Sequence, residues 1–135
     1  MTQEDKELLL KDLCARLPYK TLISIDGDDN RYRLEEICHA IIGIDTYKTT
    51  VENCNIEQVK PYLFPLSSMT EEIMDEIYNN TGVYDIGIDS PVHIEVGTTF
   101  EDLTKTPDIL HKHHIDYRGL IPKGLAIDAT GKNIY

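Results

Sequence analysis

Leu9, Leu13 and Leu17 recur at intervals of four and Pro18 follows at once, so the apolar period that opens this chain is cut at a fixed point. A proline pushes the residue before it out of the helical region. The stripe, flanked by Leu10 and Cys14, therefore predicts an amphipathic helix that ends against Pro18. Thr2 as cap, with Asp5 three residues on, supplies the start signal. Glu4, Lys6, Glu7, Lys11 and Asp12 read as the opposite, solvated face, with Glu7 and Lys11 an i,i+4 pair in the favourable order. Past Pro18 the pattern turns to that of strands, which confines the chain to folds that mix helices with sheet.

Thr21-Leu22-Ile23-Ser24-Ile25 is β-rich, Asp26-Gly27-Asp28-Asp29-Asn30 is a turn, and Tyr32-Arg33-Leu34 resumes an extended pattern. Ile37 to Ile44 suits a buried strand, although Leu34, Ile37, Cys38 and Ile41 also fit a helix; Gly43, Tyr47, Thr49 and Val51 favour strands. Pro61 and Pro65 make Lys60–Pro65 an extended connector lying on the domain. The whole region predicts a small curled antiparallel sheet. The turn at Asp26 has oxygens where a calcium loop would begin, but Arg31 stands where that loop needs glycine and Ile37 where it needs an acid.

Ser68 and Glu71 form a second capping signal, and Glu71, Glu72, Asp75 and Glu76 crowd the first turns of the helix they announce, where the positive dipole end favours acids. Asn79-Asn80-Thr81-Gly82 stops it. Residues 83–96 alternate as a β-hairpin around Asp89-Ser90-Pro91. Thr106-Pro107 opens a last helix running through Ile109, Leu110, His113 and His114 to the neighbourhood of Tyr117-Arg118-Gly119. With no linker or repeat along 135 residues, the expectation is one α+β domain, 1–135. It has an N-terminal amphipathic helix, the curled sheet, two further helices and the hairpin.

Charge excludes more than it selects. The net charge is -11, and residues 61–104 hold nine acids with no Lys or Arg. Such a field repels phosphates, so direct nucleic-acid binding is not expected. It suits solubility, or a basic protein partner, or mimicry of a nucleic acid. No apolar run approaches a membrane span, and the acidic opening Met1–Lys6 does not read as a secretory signal. Cys14, Cys38 and Cys54 are odd in number and widely spaced, which suits reduced thiols in a cytoplasm, packed as small apolar groups.

His111-Lys112-His113-His114, with Asp116 beyond, is the segment that most resembles chemistry. His111 and His114 lie three apart, and imidazole is a common transition-metal ligand; His111, His114 and Asp116 are thus the metal candidates, without the His-Glu-x-x-His spacing of a zinc protease. No phosphate loop, nucleophile elbow or dinucleotide fingerprint occurs, so no cofactor and no catalytic residue is assigned. Asp116 and Arg118 either pair to fix the path of residues 116–127, or Arg118 binds an anion.

Three blocks carry a resemblance: Thr2–Tyr19, Val59–Glu71 and His113–Ile121. They are similar to the opening, middle and closing motifs of a group of small, uncharacterised proteins of gut Bacteroidales. Lys20 and Phe64 stand where that group would lead one to expect glycine and, often, arginine. The resemblance implies the company of phage or mobile elements for some relatives, and no known activity. The leading expectation is a non-enzymatic cytoplasmic binding or accessory protein. A nucleic-acid mimic acting through Glu71, Glu72, Asp75 and Glu76, with Arg118 on the interaction surface, is the first alternative. A metal-dependent hydrolase built on His111–His114 is the second.

Overall fold

The computed structural model describes residues 1–38, 41–45, 51–85, 93–94 and 97–135. Helix α1 (Gln3–Arg16) starts where Thr2 and Asp5 close a reciprocal box: Thr2 Oγ1 accepts from the Asp5 amide at 3.1 Å, and Asp5 Oδ2 from the Thr2 amide at 3.3 Å. Leu17–Tyr19 add one 3-10 turn, with Pro18 inside it. Leu9 and Leu13 are fully buried as expected, but so are Asp12 and Arg16, while Cys14 is exposed. The solvated place expected for Asp12 and the packed place expected for Cys14 are both corrected. Positions 9, 12, 13 and 16 form one helical face. Two of its four members are opposite charges that neutralise each other, so apolar periodicity could not reveal it.

Strands β1 (Leu22–Ile25), β2 (Tyr32–Cys38), β3 (Ile41–Asp45), β4 (Val51–Asn55) and β5 (Val59–Pro65) follow. Asp26 and Gly27 take positive φ of 50° and 73° at the turn after β1, where the Asp28 amide donates to the Ile25 carbonyl at 3.0 Å. The sheet runs β4-β3-β2-β1-β5, antiparallel throughout this part. It is larger than expected and mixed. The stretch expected as a connector is β5 itself, which also takes parallel partners β8 (Ile115–Asp116) and β9 (Ile127–Asp128). Pro61 and Pro65 are tolerated because other residues supply the ladder: the Phe64 amide donates to the His114 carbonyl and the Leu63 carbonyl accepts from the Ala129 amide, both at 2.8 Å.

Helix α2 (Glu71–Thr81) is capped by Thr70, whose Oγ1 accepts from the Ile73 amide at 3.3 Å. The expected cap, Ser68, instead belongs to a 3-10 turn over Leu66–Ser68, closed by the Met69 amide on the Leu66 carbonyl. That turn shifts the helix start two residues on. Gly82 ends α2 at φ 75°. The hairpin is β6 (Val83–Asp85) against β7 (His93–Ile94), antiparallel; its expected turn at Asp89-Ser90-Pro91 lies outside the described residues.

Helix α3 spans Phe100–Lys112, six residues earlier at its start than the sequence suggested, because Thr99 and Asp102 form a reciprocal capping box that outweighs the proline signal. Pro107 therefore sits inside the helix. The helix also ends earlier: His113 caps it, His114 takes φ 58°, and the chain turns directly into β8. Two apolar clusters result. The larger joins Leu9 and Leu13 to the sheet through Ile23, Val59 and Leu63; the smaller joins α2, β6, α3 and β8 through Ile77, Val83, Leu110 and Ile115.

Candidate functional site

The α3–β8 turn lies over the buried end of α1, and polar side chains from both meet there. Arg16, fully buried, donates through Nε to Asp12 Oδ2 at 2.7 Å and through Nη2 to the Ile115 carbonyl at 2.6 Å. Arg118 approaches Asp12 from the far side, Nε to Oδ1 at 3.3 Å, at an angle that makes no hydrogen bond, so Oδ1 is buried without one. Arg16 Nη1 is likewise buried without a partner. Both guanidiniums lie over the Tyr117 ring, Arg16 at 5.8 Å and Arg118 at 5.1 Å from its centroid. The Tyr117 hydroxyl accepts from Arg118 Nη2 at 2.9 Å and meets His111 Nε2 at 2.7 Å. Burial, then the Arg16 charge, pulls the His111 pKa down, so that its imidazole favours the neutral form.

Ile115, whose carbonyl Arg16 holds, also lines a cleft of about 590 Å³. Phe64, Ile73, Ile115 and Tyr135 give it apolar and aromatic walls; Lys20 and Lys112 give it cations, and His113 and His114 imidazoles. None of its described lining residues is an acid. Tyr135 stacks on His114 with ring centroids 3.6 Å apart. Although Tyr135 is 43% exposed as a residue, its hydroxyl lies inside, donating to the Tyr62 carbonyl and accepting from the Leu22 amide, both at 2.9 Å. Burial drives that phenol well above its usual pKa. His114 is 8% exposed, and its Nδ1 is buried without a partner. Burial first, then the Arg16 charge, lowers its pKa to about 4.

The metal candidates are separated by this geometry. His111 stays on α3 facing Tyr117, His114 turns off the helix onto Tyr135, and Asp116 uses both oxygens on backbone, accepting from the Leu120 amide at 3.0 Å and the Ile121 amide at 2.9 Å. Among the described residues no three His, Cys, Asp or Glu side chains gather as a cation site. Asp116 thus fixes the path of residues 116–121 by itself, while Arg118 turns to Asp12 and Tyr117. Of the acidic cluster, Glu71, Glu72 and Asp75 are exposed, whereas Glu76 holds Lys112 Nζ at 2.7 Å and His113 Nε2 at 2.6 Å. Those bonds, Lys112 first, hold the Glu76 pKa down.

Sequence reasoning missed Asp12, Arg16, Tyr117 and Tyr135. For the first two a signal existed: an Asp and an Arg at i,i+4, each adjacent in sequence or on the helix face to a core leucine. For Tyr135 there was none, since its partners lie 73 and 113 residues away in sequence. No helix among the described residues is long and apolar enough to cross a membrane. Comparison with protein-family models, with curated proteins and with solved structures finds no match to this chain.

Proposed function

We propose that this chain is a non-enzymatic cytoplasmic binding protein and that the cleft between Tyr19, α2, α3 and Tyr135 is its ligand site. One observation carries the reading. Three of the four groups that could do acid, base or metal chemistry nearby are committed to partners, His111 to Tyr117, His113 to Glu76 and Asp116 to two amides, and the fourth, His114, has no second acid or base beside it among the described hydrogen bonds, while the apolar cleft walls and Lys20 stand open. A concave, mostly apolar site with a few polar groups is the usual form of a small-molecule site. Company with mobile elements is the accompanying expectation, and it rests on the motif resemblance.

Thermal shift against a broad panel of small neutral, anionic and cationic compounds tests this reading, with ester, phosphoester and peptide substrates assayed in parallel with and without divalent metals. Binding without turnover is expected. Metal-dependent turnover that disappears in a folded His114→Gln variant would establish the hydrolase instead. Mimicry of nucleic acid keeps three exposed carboxylates, Glu71, Glu72 and Asp75, the first and third of which border a depression of about 480 Å³ with Met74 and Tyr78. Its mark is capture of a basic protein at low salt only, lost when those three residues are neutralised.

A further inference from the structure

The cleft has a charge opposite to that of the chain around it. In a protein of net charge -11, its described lining includes two lysines and no Asp or Glu side chain. Lys112 is held from behind by Glu76, which leaves Lys20 as the rim cation that no carboxylate is described as pairing. Lys20 is presented on a left-handed backbone, φ 55°, directly after the turn that follows α1. The buried Arg16 guanidinium is bonded to the carbonyl of Ile115, a lining residue, with Asp12 as its counter-ion. Asp108 acts on Tyr19, another lining residue, by charge and hydrogen bond and, after burial, raises the pKa of that phenol.

We propose, resting on the reading of the cleft as a ligand site, that its ligand is a small aromatic carboxylate. The ring lies against Phe64, Ile73 and Tyr135, and the carboxylate turns to Lys20 and Lys112. Three features select this class. The walls include the rings of Tyr19, Phe64, His114 and Tyr135, which suit a flat apolar body. Two ammonium groups, one already shared with Glu76, match a single negative charge better than a phosphate dianion. His114 adds a donor. Its buried Nδ1 has no partner, and a buried bare lone pair costs less than a buried unpaired N–H, so the ring's proton belongs on Nε2. The neutral ring then carries one N–H, on a residue that lines the cleft.

Naphthalene-2-carboxylate, naphthalene-2-carboxamide and naphthalen-2-ylmethylammonium, nearly matched in shape but differing in charge, test the proposal by calorimetry and by amide NMR of the whole chain. The carboxylate is expected to bind at least about tenfold more tightly than the amide and to move the resonances of Tyr19, Ile73, His114 and Tyr135. That preference should shrink as salt rises, and should collapse in the pair Lys20→Asn with Lys112→Gln at unchanged circular dichroism, asparagine being tolerated at a left-handed position. Equal binding of carboxylate and amide at these resonances would overturn the anion preference and leave the ligand site standing. Preference for the ammonium compound would overturn it likewise. Silence from all three would overturn it too, and the wider thermal-shift panel then decides separately whether the cleft binds anything.

Discussion

Two charged clusters of this molecule make opposite use of the same residue types. In the first turns of α2, Glu71, Glu72 and Asp75 face solvent, and only Glu76 has partners among described cations. At the end of α1, Asp12 and Arg16 are fully buried and joined to Arg118, Tyr117 and His111. The first cluster is conspicuous in sequence because it is contiguous, and it needs little from the rest of the chain beyond a helix N-terminus. The second is inconspicuous, a single i,i+4 pair, yet every other member comes from about a hundred residues later in the chain. Charge density along a sequence is thus a poor guide to where charge organises structure; desolvation is what makes a charged pair consequential.

Removing Arg16 should sharpen that contrast most. Arg16→Met leaves Asp12 buried with only Arg118 beside it and frees the Ile115 carbonyl, so urea unfolding should show a loss of about 3–5 kcal/mol. The double variant Asp12→Leu with Arg16→Met should recover at least half of that loss, since an apolar pair leaves no unpaired charge. If the double variant were as unstable as the single, packing and not charge would govern this end of α1.

Acidity should separate the two regions next. His114 has a native pKa of about 4 against an ordinary value of 6.5, so between those values the unfolded chain binds a proton that the native protein does not. Stability therefore rises with pH across this window and is lost as pH falls through it, by at most about 3 kcal/mol for this group. Unfolding curves at pH 7 and pH 5 should diverge for the natural chain and converge in part for His114→Phe, which keeps a ring for Tyr135 to stack on. Identical pH slopes in the two proteins would show that the buried histidine is not the sensor.

On α2 the effects should be smaller. Thr70→Ala removes the cap on the Ile73 amide and should cost about 1 kcal/mol, whereas Ser68→Ala, one 3-10 turn earlier, should cost less. Glu71→Gln with Glu72→Gln should stay within about 0.5 kcal/mol of the natural chain by the same measurement. A larger loss there would erase the distinction between the clusters and mean that the acidic turn is held by more than its dipole.

How much of this could be read from sequence depended on how local each cause was. The Thr2–Asp5 box and the Asp26–Gly27 turn are decided within a few residues, and both were legible, as was the antiparallel pairing of β6 with β7. The start of α3 was legible in principle, as Thr99 and Asp102, but a proline at 107 competed with it and drew the boundary inward. The histidine segment misled because helical spacing was extended past Lys112, where the His114 backbone turns left-handed and sends β8 alongside β5. Arg118 was singled out early with Asp116 as its expected partner, whereas it turns to Asp12 and Tyr117.

Composition and period by themselves determined that the chain mixes helix and sheet, that a helix opens it at Thr2 and that the acids of α2 begin a helix, because each follows from nearest-neighbour geometry and solvation. Tertiary structure alone decided that Asp12 and Arg16 go inside, that the two-proline segment becomes β5 with strands on both flanks, and that Lys20, Lys112 and Tyr135 meet around one cleft. Those outcomes turn on which distant group arrives to replace water: the Ile115 carbonyl for a guanidinium, the Leu22 amide and Tyr62 carbonyl for a phenol. A buried polar group is stable only beside such a partner, and the partner is supplied by the fold, not by the residues next to it in the chain.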